Sequence, residues 1–78
     1  MYRAGTITTT DTWAEVNDSA TRNYVNLVAT TEAPFQLRLD GGDPIWAAGF
    51  DRAVQPVTTV EVRTVPGGSP VEVAFYLD

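Results

Sequence analysis

The chain has no cysteine, no histidine and no lysine. Without cysteine there is no disulfide, no zinc–thiolate site and no thiol nucleophile. Without histidine, the usual general base near neutral pH and the commonest metal ligand are both missing. The lack of lysine excludes Schiff-base chemistry and a phosphate-cradling P-loop. Positive charge is scarce altogether: five arginines stand against ten acidic residues, a net charge of −5. That balance is a poor footprint for nucleic acid or an anionic membrane surface, which both need clustered Lys and Arg. Long apolar runs are absent too. Nothing approaches the roughly 18 residues of a membrane span, and "MYRAGTITTT" lacks the apolar core of a signal peptide. The expectation is a protein made in a cytoplasm, with neither nucleic acid nor membrane as a partner.

What is present favours strands. Threonine and valine are abundant, and Gly, Pro and Asp gather between alternating runs. The 78 residues make a single β-domain, residues 1–78. "AGTITTT" (Ala4–Thr10) reads as a polar first strand, and "TWAEV" (Thr12–Val16) as its continuation after a bend near Asp11. In "RNYVNLVAT" (Arg22–Thr30), Val25, Leu27 and Ala29 share one face; Tyr24, Asn26 and Val28 share the other. "PFQLRLD" (Pro34–Asp40) turns Phe35, Leu37 and Leu39 inward and Gln36 and Arg38 outward. The short "TEA" between these two strands predicts an antiparallel hairpin. "GGDPIWAAGFDRAVQP" (Gly41–Pro56) is mainly a loop, with a short strand near Pro44–Ala47 or Gly49–Arg52. "VTTVEVRTV" then alternates, and the last strand puts Val71, Val73, Phe75 and Leu77 on one side. "PGGSP" between these two is read as a hairpin turn. The fold class expected is all-β: a small antiparallel β-sandwich or barrel, jelly-roll-like, of about six to eight short strands.

Catalytic and metal constellations are hard to assemble from these residues. Two carboxylates across a cleft, such as Glu15 and Glu72, would suit glycoside hydrolysis, but nothing singles out that pair among ten acids. Ser19 and Ser69 have no histidine to activate them. "DGGDP" (Asp40–Pro44) has the oxygen ligands of a calcium loop without the spacing of one, and it reads as a turn. The chain is expected to be a non-enzyme, with no catalytic residue, metal or cofactor.

Aromatic residues are the remaining candidates. Phe35 and Phe75 fit the core register, whereas Trp13, Trp46, Phe50 and Tyr76 are assigned to a protein interface, where Trp and Tyr are enriched. The same side chains could stack on sugar rings in a carbohydrate-binding module. Residues 1–10 form a strand with neither face strongly apolar, suited to a sheet edge or to an arm reaching a neighbouring subunit. A chain this short, with no disulfide or His/Cys staple, also leans towards oligomerisation.

The order "TWAEV", "RNYVNLVATTEAPFQLRLDGG", "WAAGF" and "VTTVEVRTVPGGSPVEVAFYLD" resembles small tailed-bacteriophage virion proteins. In these, a Trp-containing strand precedes an Arg-led apolar strand, and a final hairpin closes on an apolar strand. Arg22 and "PFQLR" match that pattern best, and residues 1–10 lie outside it. The resemblance implies a capsid decoration (cement) protein that bridges capsomers, often as a homotrimer, or a small tail or fibre component. Its partners would be other copies of itself and the major capsid protein, and its place the capsid surface. A regulatory, antitoxin-like binding domain is a further alternative.

Overall fold

β-Branched and aromatic residues in period-two order form eight strands and no helix in the computed structural model, which describes Met1–Asp78. They are β1 (Arg3–Thr8), β2 (Ala14–Glu15), β3 (Val25–Ala29), β4 (Pro34–Leu39), β5 (Ile45–Ala48), β6 (Phe50–Ala53), β7 (Val60–Thr64) and β8 (Glu72–Leu77). Sheet A has the order β1-β8-β3-β6 and sheet B the order β2-β7-β4-β5. All pairings are antiparallel. First pairs with eighth, second with seventh, third with sixth and fourth with fifth, so the chain is one long hairpin rolled over on itself. That is the jelly roll, a double-sheet solution to the edge-strand problem. The sheets stay separate along both flanks, which makes the molecule a sandwich and not a closed barrel.

The inward faces behave as the alternation predicts. Val25, Leu27 and Ala29 of β3 and Val73 and Leu77 of β8 face Phe35 and Leu37 of β4 and Val60 and Val62 of β7, all buried. Phe75 takes the inner register but remains half-buried. Its cross-strand partner on β1 is Gly5, and a Cβ there would lie 3.0 Å from the Phe75 ring tip. The ring thus occupies the space that any larger residue at position 5 would need.

Two expected hairpins are corrected. β3 and β4 lie in different sheets, so "TEA" arches across the sandwich; β7 and β8 do likewise across "PGGSP". Val65–Gly68 is a turn closed by the Gly68 N–H donating to the Val65 carbonyl at 2.9 Å. Pro66 fills its second position and Gly67 its third with φ +76°, the type II pattern. The irregular segment holds two strands, not one. Gly49, at φ +83°, turns the chain from β5 at the edge of sheet B to β6 at the edge of sheet A. Gln36 does point outward, yet it is only 4 % exposed, its Oε1 accepting from Arg63 Nε at 2.7 Å.

The polar first strand pairs along its whole length with β8 of its own chain, at the edge of sheet A. Just beyond it, Thr9 is fully buried. Its Oγ1 accepts from the Val71 N–H at 2.9 Å and lies 2.9 Å from Thr64 Oγ1. The buried hydroxyls are thereby satisfied where the chain leaves sheet A for sheet B.

Candidate functional site

The four aromatic residues assigned to an interface do not meet. Trp13 and Trp46 lie on the outer face of sheet B, and Phe50 and Tyr76 on the outer face of sheet A. Trp46 and Phe50 are four residues apart and would share a face of one continuous strand. The corner at Gly49 places them in different sheets, each facing outward on its own side of the molecule.

On sheet B the register builds a row from Arg63 on β7 to Gln36 on β4 to Trp46 on β5. Trp13 precedes β2, whose Ala14 pairs with Val62, and so flanks Arg63. The guanidiniums of Arg38 and Arg63 each lie 4.4 Å from the Trp13 ring centroid, close enough for cation–π attraction. Arg38 is fixed in turn by Glu61, with Nε–Oε1 at 2.8 Å and Nη2–Oε2 at 3.2 Å. Donating to the Glu61 carboxylate holds the Arg38 guanidinium protonated above its usual range. Trp13 is therefore engaged by its own chain, whereas Trp46 is 60 % exposed.

Sheet A presents a different surface. Val28 lies between Ala74 on β8 and Phe50 on β6, and Asn26 between Tyr76 and Arg52. Tyr2 stacks on Tyr76 with ring centroids 5.5 Å apart and planes at 15°, and Tyr24 meets Tyr76 edge-on at 6.1 Å. Desolvation by these neighbours pushes the Tyr76 phenol up, and the Asp78 carboxylate adds to the shift. Phe50 is 64 % exposed, and the outward positions of this face set Tyr76, Ala74, Val28 and Phe50 among Thr6, Asn26, Arg52 and Glu72. Tyr2 and Val54 were not singled out from the sequence. Alternation sets Tyr24 and Val28 on the face opposite Val25, Leu27 and Ala29, the signal that could have marked them.

The polar candidates are occupied locally. Asp40 Oδ1 accepts from the N–H groups of Thr58 and Thr59 at 2.7 and 2.9 Å, which holds its carboxyl below the usual range. Asp40 and Gly41 both have positive φ, so "DGGDP" begins as a turn stapled to the start of β7. Glu15 Oε2 accepts from Val60 and Asn17 N–H at 2.6 and 3.1 Å, while Glu72 lies in sheet A opposite Thr8. The proposed carboxylate pair is not brought together. Arg22, 5 % exposed, donates to the Met1 carbonyl, Asn17 Oδ1 and Asp18 Oδ1, tying the first residue to the turn before β3. The Ala20 N–H and Arg22 together lower the Asp18 carboxyl. No three His, Cys, Asp or Glu side chains gather where they could hold a metal. Ser19 sits in a turn at φ +73°.

Compared with protein-family models, curated proteins and solved structures, the chain matches none of them.

Proposed function

We propose that the chain is a non-enzymatic assembly protein of a bacteriophage virion, a decoration protein that attaches to the head through the outer face of sheet A. The observation that carries this reading is the set of outward aromatic and apolar side chains on that face, Tyr2, Tyr76, Val28 and Phe50, each exposed by about 40 % or more. Exposed apolar surface of this kind marks interaction sites in soluble proteins. Aromatic rings and arginine, which this face carries as Tyr2, Tyr76, Phe50 and Arg52, are enriched at protein interfaces. The jelly roll itself serves capsid and lectin domains alike, so the fold does not choose between them. A sugar platform needs several free coplanar rings. Tyr2 and Tyr76 instead stack on each other, and Trp13 is engaged by arginines, which leaves Trp46 alone on its face.

The test is co-sedimentation of the purified chain with head shells of the phage whose genome encodes it. The wild type is expected to pellet with the shells at a fixed ratio, and Phe50→Asp to remain in the supernatant with an unchanged circular dichroism spectrum. Failure of the wild type to pellet would reject the head assignment. Pelleting of Phe50→Asp at the wild-type ratio would reject sheet A as the contact face.

A further inference from the structure

The fold leaves four strands at sheet edges, β1 and β6 in sheet A and β2 and β5 in sheet B. Three of them carry features that keep an edge from pairing with another chain. β2 is two residues long, β5 directly follows Pro44, and β6 has Asp51 and Arg52 at its centre. β1 differs: it has six residues, no proline and no charge after Arg3. Arg3 is itself held by its own chain, its Nε donating to the Val16 carbonyl at 2.8 Å.

The hydrogen-bond phase fixes which groups β1 presents. Tyr24 and Asp78 exchange both backbone hydrogen bonds, at 3.0 and 2.9 Å, so even-numbered residues from Glu72 to Asp78 bond to β3 and odd-numbered ones to β1. The Thr9 N–H, donating to the Val71 carbonyl at 2.8 Å, keeps the same phase. Arg3, Gly5 and Ile7 therefore bond to Leu77, Phe75 and Val73. The N–H and C=O groups of Ala4, Thr6 and Thr8 point off the edge, on residues that are all exposed.

We infer that this edge pairs with β1 of a second copy of the chain, antiparallel, about a two-fold axis at Thr6. The register is self-complementary. Ala4 meets Thr8 of the second copy, Thr6 meets Thr6, and Thr8 meets Ala4; each pair exchanges both backbone hydrogen bonds. A slip of one residue would set the free groups against groups already bonded to β8. On the outer face the contacts are Thr6 with Thr6 and Ala4 with Thr8, small side chains that bring no like charges together. On the inner face Gly5 opposes Ile7 of the second copy, at a non-hydrogen-bonded position where side chains come closest. Gly5 is exposed and Phe75 beside it only half-buried, since β2, at the same flank of sheet B, is too short to cover them. Ile7 of the second copy fills that notch against the Phe75 ring.

A six-residue edge contact falls short of the roughly 1,000 Å² of a stable interface, so the pair is weak and reversible in solution. Its axis is perpendicular to the sheet, and both outer faces of sheet A point the same way. With the proposed function, a pair engages the shell at two points, where multivalency makes weak pairing sufficient. That consequence rests on the proposed function; the pairing does not.

Labelled chain is followed by amide exchange and chemical shift from micromolar to millimolar concentration. The N–H groups of Ala4, Thr6 and Thr8 are expected to shift and gain protection as concentration rises, while those of Gly5 and Ile7 are protected throughout. Isotope-filtered NOEs between copies should connect Ile7 with Phe75. Thr6→Pro removes the central donor at an edge position whose N–H has no partner in the chain, a place where proline is tolerated. It should sediment as a monomer at the highest concentration, and Thr6→Val, which keeps the donor, should pair like wild type. The wild-type measurements stand whatever Thr6→Pro does to folding. A wild type still monomeric at millimolar concentration overturns the inference. So does a trimer, or shifts centred on Phe50 and Tyr76 while the β1 amides exchange freely. Undiminished association of folded Thr6→Pro does the same. The shell experiment reads the face and this one reads the edge, so either can fail alone.

Discussion

Single residues in this molecule carry polar chemistry into places where the alternating pattern alone would put hydrocarbon. Thr9 is the clearest case, because its hydroxyl takes the Val71 N–H in a site without water access. Thr9→Val keeps the shape and strands that donor, a change that costs about 1–3 kcal/mol. Urea unfolding should register that loss, while Thr8→Val, at the exposed last position of β1, stays within about 0.5 kcal/mol of wild type. Equal losses would assign the effect to strand propensity and not to the hydroxyl. Asp40 acts through charge. Its folded carboxyl titrates below its ordinary 3.8, so its contribution is complete above that pH and disappears as pH falls through the folded value. Asp40→Asn is therefore expected to flatten the fall of Tm as pH drops below the ordinary 3.8. Part of the acid limb should survive, because Asp18 is lowered in the same direction. An unchanged limb would show that the two N–H groups do not sense the Asp40 charge.

At the scale of elements, turns decide which strand lies beside which. Gly67 holds φ +76° in the turn between β7 and β8, a conformation that costs an L-residue about 1–2 kcal/mol. Gly67→Ala should lower stability by that amount in chemical unfolding without altering the native amide spectrum beyond the turn. A neutral result would mean that the turn relaxes to another type. The same turns explain what the sequence made legible. Period-two alternation identified the inward faces of β3, β4, β7 and β8, because side-chain direction is a local property of a strand. Pairing is not local. "TEA" is short enough for a hairpin and also long enough to arch between sheets that stack about 10 Å apart, so strand neighbours could not be read from connection length. The candidate site suffered from the same ambiguity. Trp46 and Phe50 were rightly marked as aromatics outside a regular core, but one glycine corner sends them to opposite sides. The burial of Gln36 and the stacking of Trp13 depend on arginines from strands remote in sequence, Arg38 and Arg63, and no local pattern encodes them.

For the whole molecule, two exteriors of unlike character stand back to back. Sheet B shows Trp13 and the exposed Trp46 among arginines braced by Glu61 and Gln36, whereas sheet A shows tyrosine, valine and phenylalanine beside Arg52 and Glu72. If the sheet A face also joins copies of the chain, native mass across a dilution series should give a trimer that persists into the micromolar range. Phe50→Asp should then reduce it to a monomer. A wild-type monomer at every concentration would remove self-association from the proposed role and leave attachment to the shell as the only use of that face.

Strand order has one more consequence, and it concerns the ribosome. β7 and β8, which emerge after the other six strands, occupy central places in sheets B and A. Until β7 emerges, β2 has no neighbour; until β8 emerges, β1 has none and β3 has only β6. At roughly 5–20 residues per second, several seconds separate the synthesis of β1 from that of β8, and through that interval the Thr-rich β1 waits unpaired. Its lack of an apolar face then works as protection, since a polar nascent strand is a poor template for aggregation while its partner is still being made.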